Sequence, residues 1–116
     1  MAIIDPITTG LESGWQHIDA STLQQNRHFE ADVIIVGTGA GGGTAAEILT
    51  DAGLTVIMIE GGALKSSKDF DMEERHAYPN LYQQAAAMKT ADKGIGIFQG
   101  RAVGGSTTIN WTTSIR

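Results

Sequence analysis

The segment that decides the fold is Asp32–Gly62, DVIIVGTGAGGGTAAEILTDAGLTVIMIEGG, which carries eight glycines among apolar residues. Each glycine in regular structure costs about 0.5 to 1 kcal/mol relative to alanine, so this cluster needs a geometric reason. The run DVIIV at 32–36 is β-branched without alternation, which predicts a strand buried on both faces of a parallel sheet. GGTAAEILTDAG has helical spacing and stops at Gly53, and TVIMIE at 55–60 predicts a second buried strand. The sequence therefore predicts a βαβ unit, and the glycines indicate a ligand.

The first three glycines with a recognisable spacing are Gly37, Gly39 and Gly42, which form G-x-G-x-x-G between the first strand and the helix. We predict that Gly37 permits a tight turn, Gly39 lets the backbone approach a pyrophosphate, and Gly42 lets the helix pack close to the strand. Unpaired amides and the positive end of the helix dipole would hold the phosphate. Thr38 and Ala40, inside the same turn, are assigned to the same cofactor site.

Glu60 ends the second predicted strand, 23 positions after Gly37, and is placed to accept hydrogen bonds from ribose hydroxyls. A 2′-phosphate would be repelled by this carboxylate, which disfavours NADP. The motif does not choose between FAD and NAD, because both carry an adenosine diphosphate half. The alternative is that the glycines form a structural turn and Glu60 is a surface residue.

Composition narrows the function classes. The chain has 116 residues, a formal charge of −5 and no Lys/Arg cluster, which argues against a nucleic-acid partner. It has no cysteine, so disulfides, thiolate catalysis and cysteine-based zinc sites are excluded, and we predict no metal site. No apolar stretch approaches the roughly 18 residues of a transmembrane segment. The N-terminus does not resemble a secretory signal, so a cytoplasmic location is expected by default.

The rest of the chain is predicted in outline. Residues 1–30 are expected to form an N-terminal arm of one or two helical turns, packed on a later element through Trp15 and Phe29. Residues 31–116 form the second region. In DFDMEERHAYPNLYQQAAAMK we predict helix with a break at Tyr78 and a restart at Pro79. GIGIFQ predicts a short extended segment, and a further helix is expected to start at Ser106.

A second glycine-rich motif, GRAVGGSTTIN, occupies Gly100–Asn110. Together with the βαβ unit, it resembles the first signature of the glucose-methanol-choline (GMC) oxidoreductases, which are FAD-dependent alcohol and sugar oxidases and dehydrogenases. The resemblance covers about residues 31–116. It implies an α/β fold with a Rossmann-like FAD-binding unit, and hydride transfer from a small-molecule alcohol or sugar to flavin.

The resemblance also implies roles within the second motif. Ala102 and Val103 would lie beside the isoalloxazine and pyrophosphate, and Gly104 and Gly105 would let the chain pass close to the cofactor. Ser106 would donate a hydrogen bond to a phosphate oxygen. Asn110 and the residues after it, including Thr113, would face the flavin. Such a segment offers amides and hydroxyl donors to an anion. Arg101 would pair with a phosphate or with a surface acid, and the sequence leaves both open.

Two positions depart from the family pattern. Ile109 stands where family members that bind FAD covalently have histidine, so the resemblance implies a non-covalent cofactor. Ser114 replaces an aromatic residue or alanine, and Trp111 precedes it. These features are more similar to the long-chain alcohol oxidase and bacterial dehydrogenase branch than to choline oxidase.

The chain lacks a match to the family's C-terminal catalytic histidine motif. His17, His28 and His76 lie in other contexts, so no catalytic residue is predicted here. A doubly wound fold also needs more than two strands, so the parallel sheet is expected to be incomplete. We therefore expect an N-terminal, truncated portion of an oxidoreductase that acts with the remaining part of its chain. The alternatives are a non-catalytic nucleotide-binding or assembly module and, less favoured, an NAD-dependent dehydrogenase, for which the second motif has no evident use.

Overall fold

A βαβ unit lies at the centre of the chain. The computed structural model describes residues 4–110. Its helices are α1 (Pro6–Glu12), α2 (Ala40–Asp51) and α3 (Glu74–Leu81), and its strands are β1 (Val33–Val36) and β2 (Val56–Ile59). The strands pair in parallel with Val33 opposite Val56 and Val36 opposite Ile59, and α2 is the crossover. The predicted α/β, Rossmann-like unit with an incomplete parallel sheet is confirmed.

The register of the two strands is fixed at their N-terminal ends. The Asp32 carboxylate accepts hydrogen bonds from the Thr55 amide at 2.8 Å and the Thr55 hydroxyl at 2.7 Å. The Asp32 amide donates in return to the Thr55 hydroxyl oxygen at 3.0 Å. These reciprocal bonds hold the pairing where the hydrophobic pattern alone would specify it only weakly. The strand starts are therefore aligned by polar side chains as well as by the ladder.

The two strands are not buried on both faces, and that part of the prediction is wrong. Paired residues of a parallel sheet point to the same side, so Ile34 and Val36 share a face with Ile57 and Ile59. On this face Ile34 is 58% exposed, Val36 83% and Ile59 51%. The β-branched run predicts a two-sided parallel sheet, but the described residues supply a covering helix, α2, on one side only.

The helix at Pro79 also differs from its prediction. α3 runs through Tyr78 and Pro79 to Leu81 without a break. The helix ends two residues after the proline, so the missing Pro79 amide removes only one ladder bond, to the carbonyl of Arg75. α3 therefore has no restart at Pro79, and no α-helix continues beyond Leu81: Gln83–Ala86 form a 3-10 segment in which Gln84, Ala85 and Ala86 adopt positive φ angles of 50°, 51° and 64°.

Beyond α3 the chain folds back on itself between Leu81 and Arg101. The Gln83 amide donates to the Gln99 carbonyl at 2.8 Å, and the Arg101 amide donates to the Leu81 carbonyl at 2.7 Å. Isolated antiparallel bridges join Tyr82 to Gly100 and Lys89 to Gly96. The predicted extended segment GIGIFQ is thus paired, although it forms no regular strand. The helix expected from Ser106 is a single 3-10 turn, Gly105–Thr107.

The N-terminal arm contains α1 and a 3-10 turn at Ala20–Thr22, slightly more helix than the one or two turns predicted, and hydrogen bonds of Asp5 link it to the later chain. Trp15 packs on Gly10 of α1 and remains 58% exposed, and Phe29 is 47% exposed beneath Arg27. The arm is instead joined to Ser67 through Asp5, which accepts bonds from the Ser67 amide and hydroxyl at 2.9 and 2.8 Å. The packing expected of Trp15 and Phe29 is therefore wrong. The proposed division at residue 30 stays a prediction.

Little of the described chain is fully enclosed. Leu81 and Ala102 are its buried hydrophobic side chains, at 8% and 0% exposure. Leu81 lies at the end of α3 and Ala102 lies beside the end of β2, so both flank the region where the two glycine motifs meet. Within residues 4–110 no helix has the length and apolar character to cross a membrane.

Candidate functional site

The first glycine motif turns the chain from β1 into α2. Gly37 has a φ of +98°, and its amide donates to the Ile59 carbonyl at 2.8 Å, which continues the β1 to β2 pairing by one residue. Gly39 caps α2 in an extended conformation and has no side chain that could accept hydrogen bonds from the first-turn amides. Ala40 is the first helical residue and is exposed. The open first turn of α2 therefore presents helix amides and the positive end of the dipole, a combination that favours an anion.

Gly42 brings α2 against the turn, as predicted. A Cβ built at this position would overlap the carbonyl oxygen of Gly37 and lie 3.3 Å from the Ile35 side chain. The helix can approach β1 this closely only because residue 42 lacks a side chain. Neighbouring Gly41 has no atom within 4 Å of such a Cβ. Of the two adjacent glycines, Gly42 is therefore the sterically required one.

Glu60 lies just beyond β2 and is bound to the first glycine motif. Its Oε2 accepts bonds from the Thr38 amide at 3.0 Å and the Thr38 hydroxyl at 2.7 Å. Its Oε1 accepts from the Gly62 amide at 2.9 Å. Partial burial raises the pKa of the Glu60 carboxyl, but the bonds from Thr38, Gly62 and Gly61 outweigh it and hold the pKa below its usual range. Glu60 is thus an ionised acceptor beside the open end of α2.

The second glycine motif lies against the continuation of β2. Ala63 forms a parallel bridge with Ala102, and the Val103 amide donates to the Ala63 carbonyl at 3.1 Å. A Cβ on Gly62 would overlap the backbone of Arg101 and Ala102. Gly62 is therefore the residue that lets the two segments touch, a role that the sequence interpretation missed. The pair of glycines directly after a strand-ending glutamate was the available signal.

Gly104 and Gly105 complete the meeting of the two motifs. The Gly104 amide donates to the Thr38 hydroxyl oxygen at 3.0 Å, across 66 positions of sequence. A Cβ on Gly105 would lie 3.0 Å from the Cα of Gly39. Thr38 and Gly39 of the first motif are therefore neighbours of Gly104 and Gly105 of the second, and Thr38 also bonds to Glu60. Their contacts with a cofactor stay a prediction.

The remaining predicted residues of the second motif have varied surroundings. The Ser106 hydroxyl oxygen accepts from the Gly100 amide at 3.0 Å, which leaves its proton available to an oxygen acceptor. Asn110 donates through Nδ2 to the Thr107 carbonyl at 2.8 Å. Ala102 is fully buried, so its evident role is packing. Arg101 is exposed, and within residues 4–110 its guanidinium forms no ion pair with an acid. Thr113 lies outside the described residues.

The histidines do not converge on this site in the part of the chain that the structure describes. His76 is paired through Nδ1 with the Asp71 carboxylate at the start of α3, and His28 is 3.5 Å from Glu30 in the arm. No group of three or more His, Asp or Glu side chains among residues 4–110 could hold a metal ion. The chemistry available at the meeting of the two motifs is anion binding by amides and acceptance of hydrogen bonds by Glu60.

Comparison with known proteins agrees with the resemblance seen in the sequence. A family model described as GMC oxidoreductase matches residues 78–116. The chain is 37% identical over 88 residues, 76% of its length, to long-chain-alcohol oxidase FAO4A of Arabidopsis thaliana, and 34% identical over 110 residues, 95% of its length, to long-chain-alcohol oxidase FAO4B of the same plant. It is also 36% identical over 90 residues, 77% of its length, to the GMC-type oxidoreductase y4nJ of Sinorhizobium fredii.

These matches cover most of this chain but little of the relatives. The chain spans 12%, 15% and 18% of the length of the three proteins, respectively. No solved structure matches it at a significant level. The family model covers the second glycine motif, and the relatives' matches extend well beyond the residues of that model.

Proposed function

Because the chain belongs to the GMC oxidoreductase family, we propose that it forms the FAD-binding N-terminal segment of an enzyme that oxidises an alcohol or sugar hydroxyl. The observation that carries the proposal is the contact between the two glycine motifs around Glu60, through Thr38 and Gly104. FAD, held without a covalent bond, supplies the isoalloxazine ring that accepts a hydride. The residues described here bind and orient that cofactor.

The start of α2 suits the pyrophosphate of a dinucleotide. The cap of α2 has no side-chain hydrogen bond, and a Cβ at Gly39 would come no closer than 4.0 Å to its nearest neighbour, the Gly104 carbonyl. Backbone amides can therefore approach an anion here without a lysine. We assign Gly37, Thr38, Gly39, Ala40 and Gly42 to this half of the site.

Glu60 suits an unphosphorylated ribose. Its carboxylate lies at the carboxyl end of β2, which is where ligands bind in open α/β sheets. Because Thr38 and Gly62 keep it ionised, it can accept from a ribose hydroxyl, and it would repel a 2′-phosphate. This favours FAD over NADP at the adenosine end.

The second motif would contact the pyrophosphate and flavin half. Its members are Arg101, Ala102, Val103, Gly105, Ser106, Asn110 and Thr113. Ser106 retains a donor proton, and Arg101 has no acid partner within residues 4–110, so both are available to a phosphate. An NAD-dependent dehydrogenase would have no evident use for this second contact. The motif therefore favours FAD over NAD.

The proton acceptor and the rest of the sheet would come from further polypeptide of the same oxidoreductase. His76 is bonded to Asp71, and His17 and His28 belong to the N-terminal arm, so none is assigned a catalytic role. The exposed face formed by Ile34, Val36 and Ile59 is apolar and suits the second layer of a doubly wound fold. Two relatives are named long-chain-alcohol oxidases, which makes an alcohol our proposed substrate class.

The test is to identify the cofactor of the intact protein. We expect denaturation to release FAD, and an alcohol substrate to bleach the flavin absorbance of the native protein. Glu60→Gln should weaken FAD binding by about tenfold, since it removes the charge from a hydrogen-bond acceptor. Glu47→Gln, on the exposed side of α2, is the matched control and should leave FAD binding unchanged. Release of NAD, or of no cofactor, would refute the proposal, and bound FAD that no alcohol reduces would favour a non-catalytic binding module.

A further inference from the structure

Thr38 has an unusual position among the glycines of the first motif. Its hydroxyl oxygen lies 2.7 Å from Glu60 Oε2 and 3.0 Å from the Gly104 amide nitrogen. Its own amide donates to the same Glu60 oxygen at 3.0 Å. Thr38 therefore touches the strand-end acid and the second glycine motif at once, and it is half-buried between them.

The direction of each hydrogen bond follows from the groups involved. The Gly104 amide can only donate, so the Thr38 hydroxyl must accept from it. The single hydroxyl proton is then directed to Glu60, which accepts it as a carboxylate. The hydroxyl proton and one of its two acceptor positions are used within the chain, so the hydroxyl has no proton left to donate to a phosphate.

We propose that Thr38 is a positioning residue that holds Glu60 and the second glycine motif in register before the cofactor binds. This inference rests on the proposed function. Oε2 of Glu60 takes both Thr38 donors, whereas Oε1 takes the Gly62 amide and keeps an acceptor position for a ribose hydroxyl. The bond from Gly104 fixes the second motif against the same hydroxyl, so the adenosine and flavin halves of the site are linked through one side chain.

Gly104 supports this role through its backbone. Its φ is +92°, and it precedes the single 3-10 turn that starts at Gly105. The Val103 carbonyl, one residue earlier, accepts from the Thr108 hydroxyl at 2.8 Å, which closes the turn from the other side. Glycine adopts this left-handed conformation without the strain that a side chain would add. Loss of the Thr38 hydroxyl therefore removes the partner of a specific amide.

The test uses Thr38→Val, which keeps the side-chain shape and deletes the hydroxyl, in the intact protein. Thr38→Ser restores the hydroxyl. Thr50→Val is the matched control, because among residues 4–110 the Thr50 hydroxyl bonds to carbonyls of its own helix, those of Ala46 and Glu47. FAD affinity is measured from the quenching of flavin fluorescence, across pH. Gly104 amide hydrogen exchange is measured without FAD.

We expect Thr38→Val to weaken FAD binding by about 10-fold to 100-fold, the range for a lost hydrogen bond to a charged group. The pH at which affinity is half lost should rise, because Glu60 loses a donor to its charged form. The Gly104 amide should exchange about tenfold faster or more. Thr38→Ser should restore all three properties, and Thr50→Val should leave all three unchanged.

The outcomes separate the two proposals. If the unaltered protein does not bind FAD, the proposed function is wrong, and the exchange rate of the Gly104 amide still tests the role of Thr38. If the protein binds FAD but Thr38→Val changes neither affinity, pH midpoint nor exchange, the positioning role is refuted and the proposed function stands. If Thr38→Val does not fold, Thr38→Ala and Thr38→Ser are compared in the same assays, and equal values for these two variants refute the inference.

Discussion

At the scale of single residues, Gly42 and Gly41 are adjacent in sequence but unequal in environment. A Cβ at Gly42 would overlap the Gly37 carbonyl oxygen, whereas a Cβ at Gly41 meets nothing within 4 Å. We expect Gly42→Ala to lower the free energy of unfolding by about 1 to 3 kcal/mol, as overpacking does. Gly41→Ala should be neutral or raise it by about 0.5 to 1 kcal/mol, since alanine is the better helix former. Urea unfolding measures both, and equal effects would contradict the close packing of α2.

The sequence predicted individual residues well where their role depends on local geometry. The motif spacing identified Gly42 because strand, turn and helix follow one another within a few residues. It did not predict that Thr38 bonds to Gly104, or that Gly62 touches the backbone of Arg101 and Ala102. The first contact joins residues 66 positions apart and the second residues about 40 positions apart, and no local pattern encodes which backbone atoms will meet. Glu60 falls between the two cases, since its place after β2 was predicted and its bonds were not.

At the scale of elements, one carboxylate both caps the short helix α1 and links it to Ser67. Asp5 Oδ1 caps the helix by accepting from the Ile7 amide at 2.9 Å, and Oδ2 accepts from the Ser67 amide and hydroxyl. The hydrogen bond from the Ser67 hydroxyl, together with those from the Ser67 and Ile7 amides, lowers the pKa of Asp5 to about 2. The cap and the long-range attachment therefore share one charge.

We expect this attachment to weaken in acid. The folded-state pKa of Asp5 lies below the unfolded value of about 3.9. Its contribution to the stability of the folded state is therefore complete above that value and is lost as the pH falls towards 2. The Ser67 amide resonance should therefore titrate with a midpoint near 2 in an NMR pH series. Asp5→Ala should abolish this titration and shift the NMR resonance of the Ile7 amide. Glu12→Ala, at the other end of α1, should do neither, and a Ser67 midpoint near 4 would contradict the arrangement.

Elements were predictable from sequence where one pattern dominated. β1, α2 and β2 lie within one or two residues of the predicted segments, because apolar runs and glycine stops agree there. Around Pro79 the local sequence preferences predicted the structure wrongly in two ways. The proline lies too near the end of α3 to break it, and the alanine-rich QQAAA stretch forms a distorted 3-10 segment between the pairs Gln83–Gln99 and Met88–Ile97 instead of an α-helix. Tertiary pairing outweighed helix propensity in that stretch.

At the scale of the whole molecule, one face of the sheet is left uncovered by residues 4–110. Ile34 pairs with Ile57, and Val36 pairs with Ile59, so four apolar residues share this face at the centre of the βαβ unit. The described residues enclose only two hydrophobic side chains, Leu81 and Ala102. A two-stranded sheet is marginal in water unless further strands or helices bury its faces. The apolar run that predicted a two-sided sheet is therefore consistent with a larger fold, in which our proposed remainder of the oxidoreductase supplies the second layer.

This arrangement predicts the behaviour of residues 1–116 expressed alone. The exposed sheet face should bind the hydrophobic dye ANS and promote self-association, since contiguous apolar surface does both. The double substitution Ile34→Thr with Val36→Thr should reduce dye fluorescence and association, because it makes the face more polar while keeping β-branched side chains. Ile95→Thr is the control, since Ile95 is 65% exposed but lies in the chain reversal after α3. In the longer oxidoreductase that we propose, the same double substitution should instead lower the melting temperature, because the face would then be buried against the second layer. Dye binding that is unaffected by the double substitution, or an unchanged melting temperature of the intact protein, would show that this face is not covered as proposed.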